Sequence, residues 1–242
     1  NGQDGFGDAE MLLGRLFAAD PGLRPKLVLA SKSGVVPGVP YDSRADYLVA
    51  ACEASLRRLG TDHLDLFQVH RPDVLTHPAE VARALETLVT SGKVRAVGVS
   101  NYSPTQVAAL VAHLQIPLAS IQPELSPLAL EALADGTLDL AMQHRISVLA
   151  WSPLAGGRLG EPGNDAPAQR VCAELDRQAR RCGVSRAVAT CAWIMAHPAG
   201  IIPIVGSQQA SRIREAAAAC QVEWTRADWY RVLVASRGVA LP

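Results

Sequence analysis

The sequence repeats one unit along most of its length. Each unit is a short apolar segment typical of a buried strand, a polar residue at its C-terminal end, and a segment with helical spacing. Because parallel strands need a crossover helix between them, this alternation predicts parallel βαβ units. It leaves two architectures open, an open doubly wound sheet and a (β/α)8 barrel. The predicted strands are residues 27–31, 64–69, 94–99, 119–121, 146–150 and 201–205.

The phosphate-binding loops that are usual in open sheets do not occur in this sequence. No G-x-G-x-x-G follows the first strand, and no G-x-x-x-x-G-K-[ST] is present. The barrel is therefore the preferred architecture. With 242 residues, the chain has a length at which α/β barrels occur as one domain, and we predict a single domain over residues 1–242.

The helices are predicted from apolar spacing together with capping residues. Asp8 and Ser43 are the predicted N-caps of the first two helices, and Gly60 is expected to end the second. Asp135 and Gly136 are expected to interrupt a longer helical segment. Residues 1–7 and 155–167 are predicted loops. The predicted helices are residues 8–19, 43–59, 78–91, 103–114, 128–144, 168–181, 185–196 and 210–220, with a last one after Thr225.

Composition excludes several classes of function. Lys and Arg number 23 and Asp and Glu also number 23, so we expect neither nucleic acid nor an anionic membrane as a partner. There is no signal peptide and no apolar run of about 18 residues, which indicates a cytoplasmic protein that does not span a membrane. The five cysteines form no C-x-x-C pair, and we predict reduced, buried thiols. No H-x-H, H-E-x-x-H or G-x-S-x-G is present, so neither a metal site nor a serine hydrolase is predicted.

Each predicted strand ends in a polar, titratable or aromatic residue. A barrel places its chemistry at the C-terminal ends of its strands, so we expect these side chains to converge on one site. Four of them have a structural alternative: a solvated surface lysine, a histidine that caps a turn, a turn asparagine, and a core tryptophan. The residues are Lys32, His70, Ser100 with Asn101, Gln122, Trp151 with Ser152, and Gly206 with Ser207.

Two features of these strand ends indicate a nucleotide. Trp151 could stack on a flat ring. Ser207 precedes a predicted helix whose free N–H groups could bind a phosphate, and Arg212, about one turn into that helix, could pair with the same anion. Asp65 lies on the other side of its strand from Leu64 and Leu66, and we expect it to serve the structure.

Five segments together resemble the aldo-keto reductase superfamily of NAD(P)H-dependent (β/α)8 barrels, and the resemblance extends from Asp8 to the C-terminus. The C-terminal part also resembles the YdhF-like branch of bacterial oxidoreductases, through LADGTLDLAMQHR and an ending that contains Trp229 and Tyr230. The five segments are ASKSG (30–34), EASLRRLGTDHLDLFQVHRPD (53–73), SGKVRAVGVSNYSP (91–104), AWSPLAGGRLG (150–160) and PIVGSQQASRIREA (203–216).

The resemblance implies a catalytic set of Asp, Tyr, Lys and His that reduces an aldehyde or ketone by hydride transfer. Lys32 matches the lysine that lowers the pKa of the tyrosine, and His70 matches the histidine that orients and polarises the carbonyl group. The implied cofactor residues are Ser100, Asn101 and Gln122 at the nicotinamide carboxamide, Trp151 on its ring, Ser152, Leu154 and Gly156 at the pyrophosphate, and Gly206, Ser207, Arg212 and Glu215 at the adenosine end.

The sequence departs from the family pattern in two respects. The family's Asp and Tyr lie upstream of the loop that begins here at Asn1, and no tyrosine of this chain stands in that motif. We therefore expect a barrel that lacks its first strands in this chain, and little carbonyl reduction by the chain as given.

The second departure concerns the cofactor. Gln208 stands where NADPH-preferring members often have Lys or Arg. Arg212 remains as a phosphate partner, so NADPH is expected, with NADH as the alternative.

Two other functions remain open at this stage. One is a regulatory or redox-sensing module of the same fold that binds the cofactor with little turnover. The other is a barrel hydrolase or isomerase that needs no nicotinamide. The partner in the preferred hypothesis is a small carbonyl compound. Its specificity is expected to depend on the loops at residues 35–41 and 155–167, and the sequence identifies neither the physiological substrate nor the oligomeric state.

Overall fold

The computed structural model describes residues 7–241, so most of the predicted loop at residues 1–7 lies outside the described residues. The described chain has an α/β architecture in which strands alternate with helices. The six strands are β1 (Ala30–Ser33), β2 (Leu64–Val69), β3 (Val94–Ser100), β4 (Leu118–Gln122), β5 (Ser147–Ala150) and β6 (Ile202–Pro203).

The helices follow the predicted order. Short 3₁₀ turns occur at Arg24–Lys26, Ala155–Gly157 and Ala217–Gln221. The α-helices are α1 (Asp8–Ala19), α2 (Ala45–Leu59), α3 (Pro78–Thr90), α4 (Pro104–Val111), α5 (Glu131–Ala134), α6 (Thr137–His144), α7 (Ala166–Cys182), α8 (Arg186–Met195), α9 (Ala210–Ala216) and α10 (Arg226–Arg237).

The chain divides into two compact units, Asn1–Ile121 and Gln122–Pro242. In the first unit, β1, β2 and β3 are adjacent parallel strands, and β4 follows β3 in the strand order. Lys32 of β1 lies opposite Gln68 of β2, which in turn lies opposite Gly98 of β3. This register places the C-terminal ends of β1, β2 and β3 at one edge of the sheet. The single domain over residues 1–242 stays a prediction.

The core of the first unit forms between the strands and the helices that follow them. Leu64, Phe67 and Val69 of β2 are fully buried, which agrees with the nearly continuous apolar run predicted for a central parallel strand. Asp65 accepts a hydrogen bond from the Leu29 N–H (2.9 Å) and forms ion pairs with Arg24 and Arg95 (2.9 and 2.8 Å). Its carboxylate therefore serves the structure, as predicted.

In the second unit, β5 and β6 are parallel and the helices α7, α8 and α10 pack together. The indole rings of Trp193 and Trp229 stack with centroids 4.7 Å apart. Each indole N–H donates to the other residue's carbonyl oxygen, at 3.0 Å from Trp193 and 2.9 Å from Trp229. Thr225 caps α10 as predicted, by accepting a hydrogen bond from the Asp228 N–H.

Two predicted strands are shorter in the structure. The strand predicted at residues 27–31 begins only at Ala30 and ends at Ser33, so Lys32 lies within β1 rather than after it. Val28 is 84% exposed, and the Leu29 N–H donates to the side-chain carboxylate of Asp65 rather than to a backbone carbonyl of β2. The strand predicted at residues 201–205 is reduced to Ile202–Pro203, because Ile202 and Val205 are exposed and proline has no N–H to donate.

Two predicted helix caps are wrong. Gly7, in a left-handed conformation, precedes α1, so Asp8 is the first helical residue rather than the cap. Helix α2 begins at Ala45 after Arg44, and Ser43 lies outside it. The Ser43 N–H instead donates to Asp73, and the Ala45 N–H donates to Glu80. Acceptors distant in sequence thus take the place of the local cap.

Other helix boundaries follow the predicted signals. Ser103 forms a capping box with Gln106, Gly60 ends α2 in a left-handed conformation, and Gly136 separates α5 from α6. The helix predicted at residues 210–220 ends at Ala216 and continues as a 3₁₀ turn. The remaining boundaries differ by a few residues.

The cysteine prediction is confirmed only in part. All five cysteines are free thiols, and Cys52, Cys172 and Cys191 are buried. Cys182 and Cys220 are exposed, against the prediction. Cys182 is the last residue of α7 and Cys220 lies in a 3₁₀ turn, where a helical pattern does not determine which side faces the core.

Residues 7–241 contain neither a candidate membrane-spanning helix nor a candidate metal cluster. No helix in this range is both long enough and apolar enough to cross a bilayer. The same residues contain no group of three or more His, Cys, Asp or Glu side chains placed to hold a metal ion.

Candidate functional site

Lys32 and His70 lie at the ends of neighbouring parallel strands. Lys32 is the third residue of β1, and His70 directly follows β2, where its N–H donates to the Ser33 carbonyl at 2.8 Å. Both side chains line one cavity of about 430 Å³ in the first unit. The structure thus brings together the two residues that the sequence singled out for chemistry.

The rest of the cavity wall comes from α1, α2 and the loop after β1. Tyr47, Ala51, Ala54 and Arg58 recur at helical spacing on one face of α2, and the small alanines leave the volume open. Glu10 of α1 accepts hydrogen bonds from Arg58 (2.7 Å) and from the Ser31 hydroxyl. The lining residues besides Lys32 and His70 are Gly7, Glu10, Ser33, Val35, Pro37, Tyr47, Ala50, Ala51, Ala54, Ser55 and Arg58.

Burial changes the protonation of both residues. Desolvation lowers the pKa of Lys32 below its usual 10.5, because burial disfavours the charged ammonium. The pKa of His70 is lowered below 6.5, first by burial and then by the positive charges of Lys32 and Arg71. At neutral pH the cavity therefore contains a neutral imidazole close to a cationic side chain.

Ser100 and Asn101 lie at the end of β3, next to His70. Ser100 is buried, and Asn101 has a left-handed backbone conformation with φ of 60°. The Asn101 side-chain amide donates to the His70 carbonyl at 3.2 Å and to the Ser100 hydroxyl at 2.8 Å. These bonds tie the end of β3 to the backbone of His70. Four of the predicted site residues thus belong to one connected edge of the first unit.

The second unit contains the other predicted site residues. Gln122 is the buried last residue of β4, and Trp151 directly follows β5. The Trp151 N–H donates to the Pro123 carbonyl at 3.1 Å, and its carbonyl accepts from the Leu125 N–H at 3.3 Å. These backbone bonds fix Trp151 beside the segment that follows Gln122, with its side chain half-buried.

A tight turn follows Trp151. Ser152 has a left-handed conformation with φ of 55°, and its hydroxyl accepts from the Gly156 N–H at 2.9 Å. The Leu154 carbonyl accepts from the N–H groups of Gly157 (3.0 Å) and Leu159 (3.2 Å). A Cβ at Gly156 would have no heavy atom within 4 Å, so the backbone at this turn is open to a ligand.

The segment after β6 is also open. A Cβ at Gly206 would have no neighbour within 4 Å, and the Ser207 hydroxyl accepts from the Gln209 N–H at 3.1 Å. Helix α9 begins at Ala210, so Gln208 precedes the helix and is not its first residue. Arg212 and Glu215 are exposed on α9.

The groups in the second unit fit a nucleotide cofactor. They provide an aromatic face at Trp151, hydroxyls at Ser152 and Ser207, approachable backbone at Gly156 and Gly206, and a guanidinium at Arg212. An aromatic face suits a flat ring, and hydroxyls, backbone N–H groups and a guanidinium suit phosphates. The chemistry of these donors therefore agrees with the cofactor that the sequence implied.

The sequence reasoning missed several residues of the cavity, and Tyr47 is the most notable. It lies in the same cavity as Lys32 and His70, four residues before Ala51 on the same face of α2. Its pKa is raised, mainly by burial and then by the charge of Asp42. An environment that raises a tyrosine pKa does not activate its hydroxyl as an acid. The helical spacing of 47, 51, 54 and 58 was the signal that could have located this wall.

Comparison with known proteins identifies similar chains. The sequence model of the aldo/keto reductase family matches residues 5–234. A 6-dehydroglucose reductase of Novosphingobium aromaticivorans is 54% identical over 242 residues, which are 100% of this chain and 79% of the relative. A 6-dehydroglucose reductase of Agrobacterium fabrum is 38% identical over 95% of this chain and 79% of its own. Oxidoreductase YdhF of Escherichia coli is 36% identical over 96% of this chain and 80% of its own.

The fold of the chain resembles that of an aldo-keto reductase whose structure has been solved. The crystal structure of a thermostable aldo-keto reductase in complex with the inhibitor epalrestat matches with a TM-score of 0.82. The match covers 96% of this chain and 78% of the other, at 23% sequence identity. At this identity the match shows the fold alone. It confirms the predicted α/β architecture of the reductase type, with six parallel strands in the described residues.

Proposed function

Since the chain belongs to the aldo/keto reductase family, we propose that the protein expressed from its gene reduces the aldehyde or ketone group of a small molecule to an alcohol, with NADPH as the hydride donor. The observation that supports this most is the shared cavity of Lys32 and His70, at the ends of two adjacent parallel strands. In barrel enzymes, residues at these strand ends perform the chemistry.

Lys32 and His70 have complementary roles in this proposal. The neutral His70 imidazole donates a hydrogen bond to the carbonyl oxygen, which orients the substrate and polarises the C=O bond. The Lys32 ammonium lowers the pKa of the tyrosine acid in the family pattern, and its positive charge also stabilises the negative charge that develops on that oxygen. The low-dielectric surroundings that lower both pKa values also strengthen this electrostatic effect. A general acid then protonates the oxygen, which is the role of a tyrosine in the family pattern.

The cofactor, when bound, supplies the hydride that adds to the carbonyl carbon. In the first unit, we assign Ser100 and Asn101 to the carboxamide of its nicotinamide. In the second unit, we assign Gln122 to a polar group of the cofactor and Trp151 to a flat ring on which its indole stacks. The phosphate-binding and adenosine-binding groups are Ser152, Leu154, Gly156, Gly206, Ser207, Arg212 and Glu215. The Arg212 guanidinium favours NADPH over NADH, because it suits an additional phosphate.

The substrate class we propose is a sugar that bears a carbonyl group. Two relatives, at 54% and 38% identity, are named 6-dehydroglucose reductase. The cavity wall includes Glu10 and Arg58, whose charged side chains can exchange hydrogen bonds with a polyhydroxylated compound. The smaller aldehydes and ketones of a general panel lack those hydroxyls and should bind less tightly.

Consumption of NADPH tests this proposal. The protein expressed from its gene is mixed with NADPH or NADH and a panel of oxidised sugars and simple aldehydes. We expect NADPH to be consumed only when a carbonyl compound is present, fastest with an oxidised sugar. Tight NADPH binding with negligible rates across the panel would instead identify a redox-sensing module. Conversion of a substrate without nicotinamide would identify a different enzyme.

The dependence of the rate on pH should reveal the titration of Lys32. The charged ammonium is the active form, and burial lowers the pKa at which it loses its proton. We therefore expect kcat/KM to be level at neutral pH and to fall as the pH rises through the Lys32 pKa, which lies below 10.5. A pH profile of kcat/KM measures this decrease, which forms the alkaline limb of the profile.

Lys32→Arg provides the control for this profile. A guanidinium stays protonated throughout the accessible range, so the alkaline limb should be lost in this variant even if its absolute rate is lower. An alkaline limb at the same pH in both proteins would show that another group titrates.

A further inference from the structure

The loop after β1 is a closed hairpin over residues 34–42. The Asp42 N–H donates to the Gly34 carbonyl (3.1 Å), and the Val36 N–H donates to the Pro40 carbonyl (2.9 Å). Gly34, at the base, has a φ of 108°, which only glycine adopts without strain. Val35 and Tyr41 also form an antiparallel bridge. This segment, called the β1 hairpin below, thus has a defined conformation of its own.

The β1 hairpin forms an apolar part of the cavity wall. Val35 and Pro37 line the same cavity as Lys32 and His70. Val39 and Tyr41 are 59% and 41% exposed, respectively. Since residues 37–41 are all exposed, the position of the hairpin relative to the cavity depends largely on how its base is held.

Asp73 holds that base. Its Oδ2 accepts from the Ser43 N–H at 3.0 Å and from the Thr76 hydroxyl at 2.6 Å. Its Oδ1 accepts from the Leu75 N–H at 3.0 Å. Ser43 is the residue directly after the β1 hairpin, and Asp73 is three residues after His70. One carboxylate therefore joins the hairpin to the loop that begins at His70.

The charge state of Asp73 agrees with this role. Burial alone would raise its pKa, but the hydrogen bonds from Thr76, Leu75 and Ser43 outweigh it, and the pKa is lowered. The carboxylate is thus ionised at neutral pH and accepts all three bonds. Hydrogen bonds to an ionised acceptor are about twice as strong as neutral ones.

The effect of Asp73 is local. The first N–H of α2, from Ala45, donates to Glu80 of α3 at 3.1 Å, and Arg44 pairs with Asp42. The start of α2 therefore has its own acceptors and does not need Asp73. Asp73 therefore joins the base of the β1 hairpin to the segment from Asp73 to Thr76.

We propose that Asp73 is a positioning residue for substrate binding. It fixes the β1 hairpin so that Val35 and Pro37 form a firm apolar wall beside Lys32 and His70. The inference rests on the proposed function, because it takes this cavity as the binding site of the carbonyl substrate. The wall contacts the substrate away from its carbonyl group, so it affects binding more than the chemical step.

Asp73→Asn tests the inference with an almost isosteric change. The amide keeps only one acceptor oxygen, so its N–H₂ group must face the N–H of either Ser43 or Leu75, and the three-bond attachment of the hairpin base is broken. We expect KM for the best carbonyl substrate to rise about tenfold, with kcat within about twofold and the Kd for NADPH unchanged. Amide hydrogen exchange at Val36 and Asp42 should be at least about tenfold faster, because both N–H groups are bonded within the hairpin.

Asp65→Asn is the matched control. Asp65 also accepts a backbone N–H and lies at the opposite end of β2, where it pairs with Arg24 and Arg95. This variant should lose stability while KM and exchange in the hairpin stay as in the wild type. Should Asp73→Asn fail to fold, Thr76→Val removes one bond to Asp73 and should shift KM and exchange in the same direction by less.

The outcomes separate this inference from the proposed function. Wild-type KM together with wild-type exchange in Asp73→Asn would overturn it. Equal changes of KM, kcat and stability in both Asp variants would overturn it as well, since they would indicate a general structural role. A wild-type protein without nicotinamide-dependent turnover would refute the proposed function and the role in substrate binding, and faster exchange in the variant would then show only that Asp73 anchors the hairpin.

Discussion

Lys32→Met should lower kcat/KM for carbonyl reduction by about 10³-fold, which corresponds to about 4 kcal/mol of transition-state stabilisation. Methionine keeps the length and most of the apolar volume of lysine but removes the positive charge. The negative charge on the carbonyl oxygen then develops in a half-buried cavity without a cation, and the neutral His70 alone does not replace it. Steady-state kinetics with NADPH and the best carbonyl substrate measure the loss.

A control variant distinguishes a catalytic role of Lys32 from the general effect of removing one positive charge from the protein. Lys26 lies in the same unit but is exposed, so Lys26→Met should leave kcat/KM within about twofold. The Kd for NADPH should change little in either variant, because Lys32 is not among the groups assigned to the cofactor. A Lys32→Met protein that keeps a tenth or more of the wild-type kcat/KM would refute the catalytic role of Lys32.

Gly98→Ala should destabilise the protein by about 3 kcal/mol, the upper part of the usual range for overpacking a core. Gly98 is buried in β3, and a Cβ there would lie 2.1 Å from the Ser120 hydroxyl oxygen and 2.8 Å from the Ser120 carbonyl oxygen. The hydroxyl cannot simply rotate away, since it accepts a buried hydrogen bond from the Gln68 amide. The neighbouring strand would have to move, and the end of β3 at Ser100 and Asn101 would move with it.

Thermal unfolding measures the loss at Gly98. For a chain of this length we expect a decrease in Tm of about 10 °C. Gly22→Ala is the matched control, because Gly22 is exposed and the nearest atom to its Cβ is an oxygen of the exposed Asp20 side chain at 3.2 Å. A wild-type Tm for Gly98→Ala would show that β3 and β4 are not packed as closely as described.

The strand ends could be predicted because their signal is local. The apolar run at 64–69 is buried as predicted, and a parallel arrangement of β1 and β2 brings Lys32 and His70 together wherever the exact boundaries lie. The prediction for β1 was displaced by a few residues, because Leu27 and Val28 are apolar but exposed. Lys32 still lines the cavity. The error concerned only where β1 begins and ends, and β1 still pairs with β2.

Contacts between distant segments could not be predicted. Serine is a residue type that is common at N-caps, but Ser43 does not cap α2. Its backbone N–H donates to Asp73, 30 residues away, and the N–H of Ala45 donates to Glu80. The open volume of the cavity likewise depends on which face of α2 turns toward β1. The need for glycine at position 98 could not be predicted either, because it depends on the position of Ser120 on the neighbouring strand. Each case depends on packing between elements, which a pattern along one segment does not contain.

The transfer of a labelled hydride tests the central claim most directly. The protein is supplied with NADPH that carries deuterium at the transferable position of the nicotinamide, together with the carbonyl substrate, and the alcohol is examined by mass spectrometry. We predict one deuterium on the former carbonyl carbon in the wild-type product, and almost no product with Lys32→Met. An alcohol formed without deuterium, or formed equally well without nicotinamide, would contradict the assignment of this chain as an NADPH-dependent carbonyl reductase.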